Sequence, residues 1–204
     1  MQYQVFSDGL LNSNTYLVFD GRDGVVIDAG VPFSSVEKKT RELNIEIRAL
    51  LLTHGHIDHI AYAEEYRKAG IPVGINKREE YMLAPCRDNL AKYIGIKFGA
   101  SKADFVFNGG DELSFGNLKI KVILTAGHTA GSCCFLVDNV CFTGDTLFCG
   151  GVGRTDFPTG SHSELMESIK KKLFVLPDET VICPGHNEES TIRAEKDGNA
   201  YFTE

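Results

Sequence analysis

No apolar run in this sequence is longer than about five residues, against the roughly 20 that a membrane-spanning helix needs, so no such helix is expected. A basic excess is missing as well. With 28 acidic against 21 basic residues the formal net charge is −7, whereas a nucleic-acid-binding face usually needs clustered positive charge. The N-terminal MQYQVFSDG has neither a basic leader nor an apolar export segment, and a cytoplasmic protein is expected. Low-complexity stretches and interdomain linkers are lacking too. The six cysteines include no Cys-x-x-Cys pair. Cys133, Cys134, Cys141 and Cys183 lie in or beside β-rich runs, and Cys86 and Cys149 in loop-like segments, so all are read as reduced thiols rather than a disulfide framework.

What is present is the balance of a globular domain, 43% apolar and 24% charged residues. The 204 residues suffice for one ample core and are too few for two ordinary domains, so a single domain over 1–204 is expected. Tyr3 to Phe6, Thr15 to Phe19 and Val25 to Asp28 read as strands, with a turn at Asp20-Gly21. A helix is predicted over Pro32 to Leu43, a strand over Ile45 to Thr53, and a helix over Ile60 to Ala69 closed by Gly70. Ile71 to Ile75 reads as a strand, Lys77 to Leu83 as a short helix, and Pro85 to Lys102 as a loop containing another short helix. From Phe105 to Phe142 the pattern is β, with turns at Asn108-Gly109-Gly110, Gly116-Asn117 and Asp138-Asn139. Ser161 to Phe174 reads as a helix with Ser161 and Glu164 in capping-box spacing, followed by a strand over Thr180 to Cys183 and a helix over Glu188 to Lys196. Each half of the chain is thus β-rich first and helical later. Tyr16 to Asp20, a turn, then Val26 to Asp28 is echoed by Phe135 to Asp138, a turn, then Cys141 to Thr143. Two sheets packed face to face with helices outside would suit this pattern.

The chemistry concentrates in His54-Gly55-His56-Ile57-Asp58-His59, where three of the six histidines fall within six positions. The segment follows the apolar run Leu50-Leu51-Leu52 and so sits where a strand leaves the core. If the chain stays extended there, period-two geometry points His54 and His56 the same way, while Asp58 and His59 open the next helix and face a neighbouring point. A polar turn with Asp58 as a helix cap would explain a lone histidine. Four ligand-type residues in six positions point instead to zinc-like cations. The same local plan returns at Val122 to Gly127-His128, at Cys141-Phe142-Thr143-Gly144-Asp145 and at Val181 to Gly185-His186: a strand, a glycine that lets the backbone turn, then a ligand. Taken singly, a histidine such as His128 or His186 is more often structural than functional; together with the first cluster they are read as ligands. His162, at a helix start, is read as solvated.

His-x-His-x-Asp-His, then Gly-His, Gly-Asp and Gly-His in this order resembles the metallo-β-lactamase superfamily, over nearly the whole chain and including Val26-Ile27-Asp28-Ala29-Gly30. The resemblance implies an α/β fold, a four-layer αββα sandwich, with the site at the edge between the sheets. It also implies that His54, His56 and His128 hold one divalent cation, that Asp58, His59 and His186 hold a second, and that Asp145 bridges them. Zinc is the expected metal, with iron or manganese as alternatives. Two such ions can share a water and lower its pKa from near 16 to about 7 for attack on a carbonyl, with Asp58 as an orienting catalytic group. True metallo-β-lactamases typically carry a different ligand set where this chain has Asp145 and His59, so antibiotic hydrolysis is not expected.

Thr143-Gly144-Asp145-Thr146-Leu147-Phe148 followed by Gly153-Arg154-Thr155-Asp156-Phe157 resembles the glyoxalase II-like hydrolases, best the short single-domain members. Glutathione-specific glyoxalase II enzymes carry an extra C-terminal helical domain that helps bind glutathione and tend to place an aromatic residue where Asp156 stands; with eighteen residues after His186, that domain is not expected here. A thioesterase for an S-acyl conjugate of glutathione or another small thiol is therefore expected. Gly153 to Phe157 also resembles the persulfide dioxygenases, which would use His54, His128 and Asp145 for one iron; Pro184-Gly185-His186 is closer to the hydrolase form. A nuclease of the same fold is the third possibility, and the acidic balance speaks against it. Arg154 and Asp156 read either as a substrate-facing pair or as an ion pair that fixes their loop.

Overall fold

The computed structural model describes residues 1–99 and 101–203. Successive side chains of its central strands join opposite apolar clusters, which shows the face each one takes. In β2 (Thr15–Asp20) Tyr16 and Val18 lie opposite Leu17; in β3 (Asp23–Ile27) Val25 and Ile27 lie opposite Val26. In β4 (Glu46–Leu52) Ala49 and Leu51 lie opposite Leu50 and Leu52. Both faces of these strands are covered, which is why they read as unbroken apolar runs rather than alternating ones.

The first sheet has the order β1 (Gln2–Phe6), β2, β3, β4, β5 (Val73–Asn76), β6 (Phe105–Phe107), antiparallel as far as β3 and parallel beyond it. The second also has six strands. Its meander β7 (Glu112–Phe115), β8 (Leu118–Leu124), β9 (Cys133–Val137), β10 (Val140–Gly144) is antiparallel. Beyond β10 lie a hairpin pair outside the sheet, β11 (Leu147–Phe148) and β12 (Gly151–Val152), then β13 (Val181–Pro184) parallel to β10 and β14 (Ser190–Thr191) at the edge.

Tyr16, Val18, Val25, Ile27, Leu51 and Phe107 of the first sheet meet Leu118, Ile120, Val122, Phe135 and Phe142 of the second in a shared apolar layer. The outer face of the first sheet is covered by α1 (Phe33–Leu43), α2 (Ile57–Ile60) and α3 (Ala63–Lys68), through Val36, Ile60 and Tyr66. The outer face of the second carries α4 (His162–Ser168), continued as a wider turn to Leu173, and α5 (Ile192–Gly198), through Leu165, Ile169 and Ile192. The result is the expected four-layer αββα sandwich. No helix among the described residues is long and apolar enough to cross a membrane. All six cysteines are free thiols, four of them buried.

Several local expectations are corrected. The single helix expected over Ile60 to Ala69 is two, α2 starting at Ile57 and α3 at Ala63, with Tyr62 off helical geometry (φ −109°, ψ 9°) between them. No helix forms within Pro85 to Lys102 among the described residues; the chain makes successive turns, with Leu90 (φ 65°) and Gly95 (φ 71°) in left-handed conformations that stop a helix from propagating. Lys77 to Leu83 narrows to a tight 3-10 turn over Glu80–Leu83. The last helix starts at Ile192 rather than Glu188, because Asn187 turns with φ 65° and β14 intervenes. Ser161 caps α4 as expected, its hydroxyl accepting the Glu164 amide at 3.4 Å.

Candidate metal centre

Four strand ends converge on one edge of the sandwich. β4 leads into His54, His56, Asp58 and His59; β8 leads through Thr125 to His128; β10 ends at Gly144 before Asp145; β13 runs through Pro184-Gly185 into His186. Glycine is required at two of these exits. Gly144 has φ 48°, and a Cβ there would lie 2.6 Å from the Thr53 hydroxyl; Gly127 has φ 140° and would meet the backbone of Leu165. The Gly185 amide donates to the Gly144 carbonyl at 2.8 Å and ties the last two exits together.

The structure brings all seven predicted residues together, and they fall into groups. His54, His56 and His128 place one ligand atom each within 4.8 Å of one another, as do Asp58, His59 and His186. His54 Nε2 and His128 Nε2 lie 3.1 and 2.8 Å from His56 Nδ1. Asp58 Oδ2 lies 3.2 Å from His186 Nε2 and 3.6 Å from His59 Nε2. Asp145 stands between the groups: Oδ1 is 3.3 Å from His59 Nε2, and Oδ2 is 3.6 Å from both His128 Nε2 and His186 Nε2.

Hydrogen bonding on the far side of four of the five rings, all but His56, fixes which nitrogen carries the proton. His128 Nδ1–H donates to the Arg154 carbonyl (2.7 Å), His186 Nδ1–H to the Asn12 carbonyl (3.2 Å) and His59 Nδ1–H to Asp28 Oδ2 (2.8 Å). The Thr53 hydroxyl spends its proton on Asp28 Oδ2 (2.8 Å) and so accepts from His54 Nδ1–H (3.1 Å). In their neutral forms four rings therefore turn Nε2 lone pairs toward one another and toward two carboxylates. Among the described residues, His56 Nε2, His59 Nε2 and Asp145 Oδ1 are buried without a hydrogen-bond partner, the last two 3.3 Å apart. Lone pairs converging on a buried point repel unless a cation lies among them. Imidazole and carboxylate donors without a thiolate suit zinc, iron or manganese, so the residues present fit divalent cations.

The electrostatics divide along the same lines. Burial pushes His54 and His128 down and His56 down to about 3, with the neighbouring imidazoles adding to the effect at His54 and His56, so these three are neutral ligands at ordinary pH. At His59 burial opposes the charge, but Asp145, Asp58 and Asp28 outweigh it and hold the ring well above its usual range. His186 is likewise raised against burial by Asp58 and Asp145. Asp145 and Asp58 are held below the usual carboxylate range, burial notwithstanding, by His59 and their other histidine neighbours. Carboxylates that attract a proton to these rings attract a metal cation by the same Coulomb force.

The site opens into a cavity of about 470 Å³ whose wall includes His56, Asp58, His128, Asp145, His186 and Arg154. Arg154 and Asp156 pair with each other in bidentate fashion at 2.6 and 2.7 Å, both side chains exposed, with the guanidinium 3.9 Å from the centre of the Phe157 ring. His162 is exposed on α4, and Cys149 is exposed at the turn between β11 and β12. Sequence reasoning missed the supporting residues. Asp28 was noted only as part of a motif, yet it holds both His59 and Thr53. Glu79, 1% exposed, accepts the Gly55 amide (3.0 Å) and the Gly131 amide (2.8 Å), clasping the loops that carry His56 and His128. The carbonyls of Arg154 and Asn12 left no signal, because any residue supplies one.

The chain covers 99%, and its partners 98%, of two alignments with curated proteins: 32% identity to a "probable metallo-hydrolase YqgX" of Bacillus subtilis and 31% to a "hydroxyacylglutathione hydrolase GloC" of Haemophilus influenzae. Among solved structures it superposes on BLEG-1, titled a B3 metallo-beta-lactamase, with TM-score 0.94 and 29% identity over 100% of both chains. It also superposes on TTHA1623 in a di-iron-bound form (TM-score 0.85, 30% identity, 97% and 100% covered). A third match is ETHE1 from Myxococcus xanthus (TM-score 0.79, 31% identity, 98% and 84% covered). The sequence profile of the metallo-beta-lactamase superfamily matches residues 8–186. The chain belongs to the metallo-beta-lactamase superfamily, as a metal-dependent hydrolase with a histidine and aspartate metal site.

Proposed function

We propose that the protein is a binuclear metal-dependent thioesterase of the glyoxalase II-like type, cleaving an S-acyl conjugate of a small thiol. The observation that carries this is Asp145, with one oxygen toward His59 and the other toward both His128 and His186, between two complete three-residue donor groups. His54, His56 and His128 would hold one cation, Asp58, His59 and His186 the other, and Asp145 both. Bound there, the cations would acidify a shared water and polarise the substrate carbonyl. The chain supplies the rest. Asp28, Thr53, Arg154 and Asn12 fix the ring tautomers so that lone pairs face inward. Asp58, kept ionised by His59 and His186, would orient the attacking water by hydrogen bonding. The leaving thiolate, with a parent pKa of about 8.5, departs without an acid. The kinship with the hydroxyacylglutathione hydrolase supports the thioester reading, and the free thiols suit a cytoplasmic protein.

The test is metal analysis of purified protein, with S-lactoylglutathione hydrolysis measured with and without a chelator. Two equivalents of zinc, iron or manganese and chelator-sensitive hydrolysis are expected; less than one equivalent under metal-replete conditions would sink the two-metal reading. The resemblance to ETHE1 favours a second reading, a mononuclear iron persulfide dioxygenase using His54, His128 and Asp145. Oxygen uptake with glutathione persulfide, at one iron per chain, would establish it. Because BLEG-1 is titled a β-lactamase, hydrolysis of a chromogenic cephalosporin belongs in the same panel.

A further inference from the structure

The mouth of the metal cavity is walled by Leu11, Tyr93, Ile94, Phe148, Val152 and Phe157. Of the eight exposed large apolar side chains among the described residues, three stand around this one opening: Leu11 (56% exposed), Tyr93 (65%) and Ile94 (40%). Scattered exposed apolar residues need no explanation, but a ring of them at the entrance to a buried donor cluster marks a binding surface. They come from distant segments, the turn after β1, the irregular 85–99 stretch and the β11–β12 hairpin, so no local pattern places them together.

The charges around the opening are as informative. Apart from the histidines, the one basic side chain in the wall among the described residues is Arg154, whose Nε and one Nη already pair with Asp156. A substrate carboxylate reaching Arg154 would meet a guanidinium whose charge Asp156 already balances. It would also approach Asp58 and Asp145. Arg87 and Lys92 line a separate cavity that shares only Tyr93 with this one. Glutathione carries two carboxylates, and among the described residues this wall offers them no cationic side chain apart from the histidines and the Asp156-paired Arg154.

Resting on the thioesterase reading above, we infer that the substrate is a thioester of an uncharged, largely apolar thiol, selected by the collar of Leu11, Tyr93 and Ile94, and not a glutathione conjugate. Leu11, Tyr93 and Ile94 are specificity residues: they touch the thiol side of the substrate and leave the reacting carbonyl to the metal site.

The experiment uses metal-replete protein. kcat/KM is compared for S-lactoylglutathione and S-lactoyl-N-acetylcysteamine, the same acyl group on a charged and an uncharged thiol, and for S-alkyl thioacetates from methyl to butyl. The uncharged ester is expected to be turned over with the higher kcat/KM, and each added methylene to raise it by up to about fourfold until the collar is filled. In Tyr93→Ser and Ile94→Ser, both at exposed positions, that gain per methylene should shrink relative to the wild type. A higher kcat/KM for S-lactoylglutathione, or an alkyl series that is flat in the wild type, overturns the inference and leaves the thioesterase reading standing. Failure to hydrolyse any thioester with both metals bound removes the thioesterase reading, and the inference with it.

Discussion

Asp28 touches no ligand-side nitrogen, yet one atom changed there should weaken both cation positions. Its carboxylate accepts three hydrogen bonds: the Thr53 amide on Oδ1, and the Thr53 hydroxyl and His59 Nδ1–H on Oδ2, each at 2.8 Å. Asp28→Asn keeps the shape and replaces one acceptor by an NH2 donor. The Thr53 amide cannot turn away or lose its proton, so the asparagine oxygen must stay on that side and the NH2 takes the place of Oδ2. His59 then has to accept at Nδ1, which moves its proton to Nε2, where a lone pair is needed. The Thr53 hydroxyl, now an acceptor from the amide, turns its own proton toward His54 Nδ1 and favours the same shift there. Loss of such a supporting partner typically costs 10- to 100-fold in metal affinity, about 1.4–2.7 kcal/mol, and here it reaches one ligand of each group. The assay is a two-site competition titration against a chromophoric chelator, with thermal melts of the stripped protein as a check on folding. Thr53→Val is the partner experiment: it takes the acceptor from His54 but leaves Asp28 on His59, so the weakening should be confined to one position. If Asp28→Asn binds both cations within about threefold of wild type, a change below the range expected for such partners, the tautomer argument is wrong.

Other consequences follow from the same geometry. Asp145→Ala should leave the fold intact by circular dichroism but drop bound metal below one equivalent and abolish turnover, because the residue faces both groups. Gly185→Ala should cost about 1–3 kcal/mol of stability and weaken metal binding, since the new Cβ would meet Asp145 Oδ1 and sit 2.7 Å from His59 Cε1; a melting temperature and metal content equal to wild type would contradict it. Stripped of metal, the protein should be most stable near the ordinary histidine pKa of about 6.5. Below that pH the unfolded chain binds more protons than the folded one, because burial lowers His54, His128 and His56, the last to about 3, so stability falls as pH falls. Above it, the contribution of His59 and His186, raised by their carboxylate neighbours against burial, is lost as pH rises through their folded values. Melting temperatures of chelated protein that climb steadily from about pH 5 to pH 8 would contradict that balance.

The donors were legible in the sequence because histidine and aspartate are scarce and chemically distinct, and because each follows an apolar strand and a turn. What supports and surrounds them was not. The partners of His128 and His186 are backbone carbonyls, invisible in any sequence, and the collar residues are apolar side chains that read as core. The helix expected within Pro85 to Lys102 failed at Leu90 and Gly95, both left-handed, and Leu90 takes a place in the cavity wall.

The echo between the two halves of the chain turns out to have structural content. In each half an antiparallel pair, β2–β3 or β9–β10, is followed by a helix and a parallel neighbour, β4 or β13. In each, the inner strand ends on a left-handed residue at or beside an aspartate, Asp28 (φ 62°) or Gly144 before Asp145 (φ 48°), and the parallel neighbour delivers histidine. The two aspartates are nevertheless used differently. Asp145 lies among the bare lone pairs, whereas Asp28 stands one layer back, holding His59 by its protonated nitrogen. One backbone plan repeated across the sandwich thus gives both a carboxylate that faces the cations and one that aims a ring at them, which is why the site depends on a residue no ligand motif would select.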